Sequence, residues 1–242
     1  IYAKGHIPIV VGGTGFYIQA LLYDIDFTEN KGDDSCRQEL LTFAREHGEE
    51  ALHEKLRQVD PVSAREIHFR NVKRVVRALE FYRQSGIPIS VHNERERAKT
   101  SPYAFCYFVL NDDREKLYER IDRRVDEMME EGLEREVRSL KNRGFTKNMV
   151  SMQGLGYKEI LSWLDGEITL EEAVYILKRD TRHFAKRQLT WFRREKDVIW
   201  VNKPEFSYNE DAILEYMLKI CKERGICDAG NECSVPGTGN QQ

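Results

Sequence analysis

The chain has 242 residues, 40% hydrophobic and 33% charged, with 38 Lys and Arg against 41 Asp and Glu for a formal net charge of -3. That length holds one large domain or two small ones, and the composition supports a core with well-solvated, helix-rich faces. No apolar run approaches the roughly 18–20 residues of a transmembrane helix, and five cysteines without a short repeated spacing exclude a disulfide framework.

The net charge does not announce a nucleic-acid binder, but the cations are clustered at residues 65–83 and 179–196, and clustering matters more than the total. Cys221, Cys227 and Cys233 sit six apart, whereas zinc knuckles use closer pairs with histidine support. Free thiols in a reducing cytoplasm are the expectation.

In chain order, residues 7–11 read as a buried strand, followed at once by Gly12-Gly13-Thr14-Gly15 and a helix through Leu22. A glycine-rich turn between strand and helix puts backbone N–H groups at a positive helix end, where an anion can sit. This first element reads as a late strand of an α/β sheet, so a missing N-terminal part is expected. Residues 24–34 are polar and turn-like, with Gly32-Asp33-Asp34-Ser35 as a helix-start signal.

Helices are expected over residues 36–46 and 49–59, then from Asp60-Pro61, with Asp60 as cap and Pro61 at the first helical position. A fourth runs over 72–85 and closes at Gly86. Ile87-Pro88-Ile89-Ser90 leads into a polar, charged stretch at 93–101. At 104–110 the pattern becomes a near-continuous apolar run, which suits a buried strand. Residues 24–103 therefore read as a helical insertion between two strands of one sheet. Helices follow over 114–131, 133–143, 157–164 and 170–194, then a strand at 198–201 and a helix over 208–223. The Gly/Asn/Ser-rich tail at 228–242 is expected to be disordered.

Four residue groups could carry chemistry. Residues 181–194 interleave Arg182, Lys186 and Arg193 with Phe184, Trp191 and Phe192, a composition that serves phosphates and bases or simply a solvated amphipathic face. Arg70, Lys73, Arg74 and Arg77 follow helical spacing, aligning four cations that an anionic partner would compensate, with Glu66 and Glu80 offsetting part of the charge. Arg120 and Arg124 stand one turn apart and could clamp a pyrophosphate, or pair with Asp122, Asp126 or Glu127. Ser151-Met152-Gln153-Gly154-Leu155-Gly156-Tyr157-Lys158-Glu159 offers two glycines before a helix, open to close ligand approach or to plain capping.

Taken in order, Pro8 through Tyr17, Arg70 through Glu80, Arg120 through Val125, Gly156-Tyr157-Lys158-Glu159, and Thr181 with Ala185 through Arg193 resemble the tRNA dimethylallyltransferases, over roughly residues 1–203. The resemblance implies an α/β fold: a P-loop-kinase-like parallel sheet core, here incomplete, with an all-helical insertion domain. The implied division is core residues 1–23, an insertion at 24–103 that binds the tRNA anticodon stem-loop, core residues 104–224, and a tail at 225–242. The implied activity is transfer of a dimethylallyl group from dimethylallyl diphosphate to N6 of the adenine 3′ to the anticodon, by a cytoplasmic monomer using Mg²⁺.

The same resemblance implies roles for individual residues. Thr14 and Arg124 belong to catalysis, Thr14 lining a channel near the target base and Arg124 beside the diphosphate, where the one-turn spacing adds Arg120 as a second diphosphate contact. Arg37, Lys73, Arg74, Val75, Val76 and Arg77 fall to RNA contacts. Lys186, Arg187, Gln188, Trp191 and Arg193 match a basic segment beside the anticodon stem, and Gln153, Gly154, Gly156, Tyr157 and Lys158 a loop near the substrate. The family's phosphate loop and general-base Asp, with most of the Mg²⁺ ligands, are expected in the missing part, and no G-x-x-x-x-G-K-[ST] pattern occurs here. The chain alone is therefore expected to be inactive. A non-catalytic RNA-binding fragment and another P-loop nucleotide kinase are the alternatives.

Overall fold

The computed structural model describes residues 1–25 and 34–227. Residues 26–33 of the predicted turn at 24–34, and the tail with Cys233, lie outside them. The elements are α1 (Gly15–Tyr23), α2 (Asp34–His47), α3 (Glu49–Val59), α4 (Pro61–Glu66), α5 (Val72–Ser85), α6 (Ile89–Ala98), β1 (Tyr107–Asn111), α7 (Arg114–Glu131), α8 (Leu133–Asn142), α9 (Tyr157–Leu164), α10 (Leu170–Phe192), β2 (Val198–Asn202) and α11 (Glu210–Glu223). The described chain is mostly helical, with a two-stranded parallel sheet. It divides into two compact units, one of residues 16–103 and one of residues 1–15 with 104–242.

The unit of residues 16–103 is a helical bundle. Apolar residues at helical spacing supply its core: Leu40 and Ala44 from α2, Leu52 and Leu56 from α3, and Val75, Val76, Ala78 and Leu79 from α5. Buried polar groups fix the helix ends. Asp60 caps α4 through Ser63 N and Oγ at 2.9 and 2.7 Å, and also accepts from Ser90 N and Oγ at 3.0 and 2.6 Å, joining α4 to α6. The His53 ring nitrogen Nε2 lies 3.0 and 2.8 Å from the carbonyls of Ala64 and Ile67. Gly86 closes α5 at φ 70°, a left-handed conformation that glycine adopts without a Cβ penalty.

Two expectations change in this unit. The polar stretch after Pro88 is helical, because the Ser90 bonds to Asp60 anchor the first turn of α6. Val75 and Val76, expected at the RNA surface, are core residues: the helical period that exposes Lys73 and Arg74 turns these two inward.

In the other unit β1 and β2 run parallel in register from Tyr107↔Val198 to Asn111↔Asn202. The long crossover through α7 to α10 that parallel pairing demands supplies a second core, built on Val125, Leu133, Val137, Met152, Ile160, Leu161, Ala173 and Leu177. The predicted strand at residues 7–11 is not formed. Ile9 is 84% and Val11 90% exposed, since β1 and β2 pair with each other and neither pairs with this segment. An apolar run states a preference for burial, but a strand also needs a ladder partner. Cys36, Cys106, Cys221 and Cys227 are free thiols.

Candidate functional site

The glycine turn packs on the C-terminal half of α10. Gln188 Nε2 donates to the Gly13 carbonyl at 2.7 Å. A Cβ at Gly13 would meet Gln188 Nε2 at 2.2 Å, and one at Gly15 would meet Trp191 Cδ1 at 2.2 Å. At Gly15 the indole ring leaves no room for a side chain without displacement, whereas at Gly13 the obstructing group is the movable end of Gln188. Thr14 lies exposed between them. The turn that carries Thr14, which the resemblance puts near the target base, is thereby packed on Gln188 and Trp191, which the resemblance puts beside the anticodon stem.

Around this turn Lys186, Arg187, Arg193 and Arg194 are exposed, and none has a carboxylate within ion-pair distance among the described residues. Arg187 lies over the Phe184 ring at 5.7 Å. Arg182, grouped with Lys186 and Arg193 in the sequence, is not free as they are. It pairs instead with Asp122 of α7, while Lys178 pairs with Asp126 at 2.6 Å. Lys178 and Arg182 therefore serve packing against α7, Arg179 pairs with Asp180 of its own helix, and Lys186 and Arg187 further along carry no such pair among the described residues.

A cavity of about 490 Å³ lies beside these helices, lined by α7 from Leu117 to Met128, including Arg120, Arg123, Arg124 and Glu127, with Leu155, Leu177 and Thr181. Its walls are apolar and its rim is cationic. Arg120 Nη1 sits 3.3 Å from Asp112 Oδ2. Arg124 Nη1 stands 3.6 Å from Glu127 and 3.8 Å from Glu131, loose exposed contacts of the kind that contribute little. The alternative ion pairs with Asp122 and Asp126 do not form, because those carboxylates serve α10. Thr181 and Gln188 share one face of α10 two turns apart, so the cavity and the glycine turn lie roughly 10 Å apart along one helix.

The loop before α9 edges the same cavity through Leu155. Gly156, at φ 98°, donates its N–H to Glu159 Oε2 at 2.9 Å. Lys158 reaches Glu159 Oε1 at 3.2 Å and Asp180 Oδ2 at 3.5 Å, tying α9 to α10. Burial pushes the Asp180 carboxyl up, but the Arg179 hydrogen bond and the Arg179 and Lys158 charges outweigh it, leaving it below its ordinary value. Tyr157 donates to Glu136, which together with burial raises the phenol. Gln153 donates to the Lys147 carbonyl at 3.1 Å, and Gly154 is exposed. Lys158 and Tyr157 thus hold the loop in place rather than standing free.

In the helical bundle Lys73 and Arg74 are exposed and Arg77 is half-buried along α5, while Arg70 precedes the helix in a turn. Glu80 does not offset them, because it faces Arg37. That pair is bidentate, Nε to Oε1 and Nη2 to Oε2 both at 2.9 Å, with the Glu80 side chain 5% exposed. Arg37 therefore joins α2 to α5. Among the described residues no group of three or more His, Cys, Asp or Glu side chains is arranged to hold a metal ion. No described helix is long and apolar enough to cross a membrane.

The sequence reading missed Asp112, which pairs with Arg120, and offered Asp122 and Asp126 to Arg120 and Arg124 of their own helix, whereas they pair with Arg182 and Lys178 of α10. Pairing between helices is a signal that linear spacing does not carry.

A cation-rimmed apolar cavity beside a basic helix and a glycine turn is the equipment of a protein that handles phosphates. The IPP transferase family matches residues 1–195. A tRNA dimethylallyltransferase of Lachnoclostridium phytofermentans is 59% identical over 93% of this chain and 72% of its own length. One from Acetivibrio thermocellus is 51% identical over 90% and 70%. Among solved structures, the full-length tRNA isopentenylpyrophosphate transferase of Bacillus halodurans aligns with a TM-score of 0.61 at 39% identity, over 93% of this chain and 69% of that one. A eukaryotic dimethylallyltransferase acting on tRNA aligns with a TM-score of 0.71 at 25% identity, over 96% and 60%. The chain belongs to the IPP transferase family, the tRNA dimethylallyltransferases. That membership removes the nucleotide-kinase alternative.

Proposed function

We propose that this chain carries the diphosphate-facing and RNA-facing parts of a tRNA dimethylallyltransferase that modifies N6 of the adenine 3′ to the anticodon. The observation that carries this is the seating of Gly13 and Gly15 on Gln188 and Trp191, with Thr14 exposed between the two glycines, on the helix that also bears the exposed Lys186 and Arg187. Those cations, with Lys73 and Arg74 of the bundle, meet RNA phosphates. The adenine leaves the stack to reach Thr14, since its amine is inaccessible within stacked RNA.

In the transfer the N6 lone pair forms a bond to C1 of the dimethylallyl group. The C1–O bond breaks, its electron pair leaves on the diphosphate, and N6 sheds a proton. Arg120 and Arg124 meet the charge that grows on the leaving group, and preorganised cations at such a place lower the barrier. The apolar cavity wall suits the five-carbon group. This reading makes the protein a cytoplasmic one that acts as a monomer.

The test joins the chain behind the N-terminal segment of the Lachnoclostridium phytofermentans relative. The product is incubated with dimethylallyl diphosphate and an unmodified anticodon stem-loop. Mass gain on the adenine 3′ to the anticodon supports the reading. A stem-loop bound but never modified leaves only a binding module, and a stem-loop neither bound nor modified overturns both.

A further inference from the structure

The C-terminal ends of β1 and β2 carry a polar cluster that the reading above does not use. Asn111 Nδ2 donates to Asn202 Oδ1 at 2.9 Å across the two strand ends. Asp112 comes next, and its carboxylate side chain is only 6% exposed. Burial of a carboxylate is costly unless donors meet it. Here Asp113 N and the Tyr208 hydroxyl donate to Oδ1 at 2.8 and 3.0 Å, and Arg120 Nη1 meets Oδ2 at 3.3 Å. Lys116 covers the Tyr208 ring at 4.2 Å. The carboxyl ends of parallel strands are also where α/β sheets place their ligands.

Arg120 lines the cavity, and its other two nitrogens have no partner among the described residues. One edge of the guanidinium is held while the rest stays open. We propose that Asp112 is a positioning residue: buried at the end of β1 and steadied by Tyr208, it holds Arg120 by one nitrogen and presents the others to the oxyanions of a diphosphate in the cavity. This rests on the reading of that cavity as the diphosphate site.

A carboxylate that merely neutralised Arg120 would act with the opposite sign. Its removal would strengthen anion binding, whereas loss of a positioning group weakens it. The experiment titrates inorganic pyrophosphate into the whole chain by calorimetry and follows the Arg120 Nε–H signal by NMR. Asp112→Asn, which keeps the shape and an acceptor for Tyr208, is expected to bind pyrophosphate about tenfold more weakly, the contribution of one oriented charge-assisted bond. Its Arg120 signal broadens. Arg120→Ala shows a similar loss, and adding Asp112→Asn to it causes no further one. Affinity unchanged or tighter in Asp112→Asn overturns the proposal, as do additive losses.

If Asp112→Asn does not fold, Tyr208→Phe decides: a roughly threefold loss supports the proposal and unchanged affinity overturns it. Wild-type chain that binds no pyrophosphate, or Arg124→Ala without effect, overturns the diphosphate reading itself and the proposal with it. A loss in Arg124→Ala beside tighter binding in Asp112→Asn removes the positioning role alone.

Discussion

The Gln188 amide donates to the carbonyl of Gly13, 175 residues away in sequence, at 2.7 Å. Through this bond and the packing of Gly15 on Trp191, the glycine turn and the basic half of α10 form one surface. The two glycines meet different neighbours there. At Gly13 an added Cβ meets the far end of a flexible side chain, and at Gly15 it meets an indole ring.

Gly15→Ala should therefore be the more damaging of the two substitutions. Displacing Trp191 amounts to overpacking and costs about 1–3 kcal/mol, while Gly13→Ala costs less because the Gln188 amide swings away. Urea denaturation of both variants checks the order, and equal midpoints would mean that the turn does not seat on α10.

The uncompensated cations should appear in the salt dependence of RNA binding. Lys186→Ala and Arg193→Ala should each lower the slope of log affinity against log salt by about 1, as expected when one phosphate is no longer neutralised. Arg182→Ala should leave the slope unchanged, because Arg182 is engaged by Asp122. Fluorescence anisotropy with an anticodon stem-loop at several salt concentrations measures this.

Arg37 gives a prediction on stability. Arg37→Ala strands the buried Glu80, and removing one partner of a buried pair costs about 3–5 kcal/mol, reduced here because Arg37 is 45% exposed. A Glu80→Gln change added to Arg37→Ala should recover much of the loss. A residue serving RNA alone would weaken binding when replaced and leave the thermal midpoint where it was, so a thermal scan separates the two roles.

Asp60 sets an acid limit on the helical bundle. Burial pushes its carboxyl up, but the backbone and hydroxyl donors of Ser63 and Ser90 outweigh that, and the net shift is downward. A group whose folded pKa lies below its unfolded value, about 3.9 for Asp, contributes in full above that value. The contribution is lost as pH falls through the lowered folded pKa. Asp60→Ala should cost on the order of 3 kcal/mol near neutrality, from removal of the cap and of its charge-assisted bonds, with the deficit shrinking in acid. Urea midpoints across the acid range for both proteins follow it.

The helices were legible because capping residues and apolar period agree. Asp60-Pro61 opens α4 and Gly86 closes α5 as the sequence implies, and both described strands lie where the apolar runs put them. Residues 7–11 were not legible, because an apolar run does not carry the identity of its pairing strand. α6 was missed since its first turn is anchored by Ser90 on Asp60, a bond reaching thirty residues back in the chain. At the site, Thr14, Gln188 and Trp191 were assigned only through the family resemblance, and what the structure adds is the packing of Gly13 and Gly15 against Gln188 and Trp191. Which arginines are already paired could not be read: Arg182 and Arg37 face Asp122 and Glu80, carboxylates that come from other helices.

The most direct test of the whole account is Arg124→Ala in the joined protein, read by two assays on one preparation. Transfer of the dimethylallyl group to the stem-loop should fall by about 100-fold, as when one preorganised charge stabiliser is removed, while stem-loop affinity stays unchanged. Full-rate transfer after the substitution would contradict the assignment of the cavity to the leaving diphosphate.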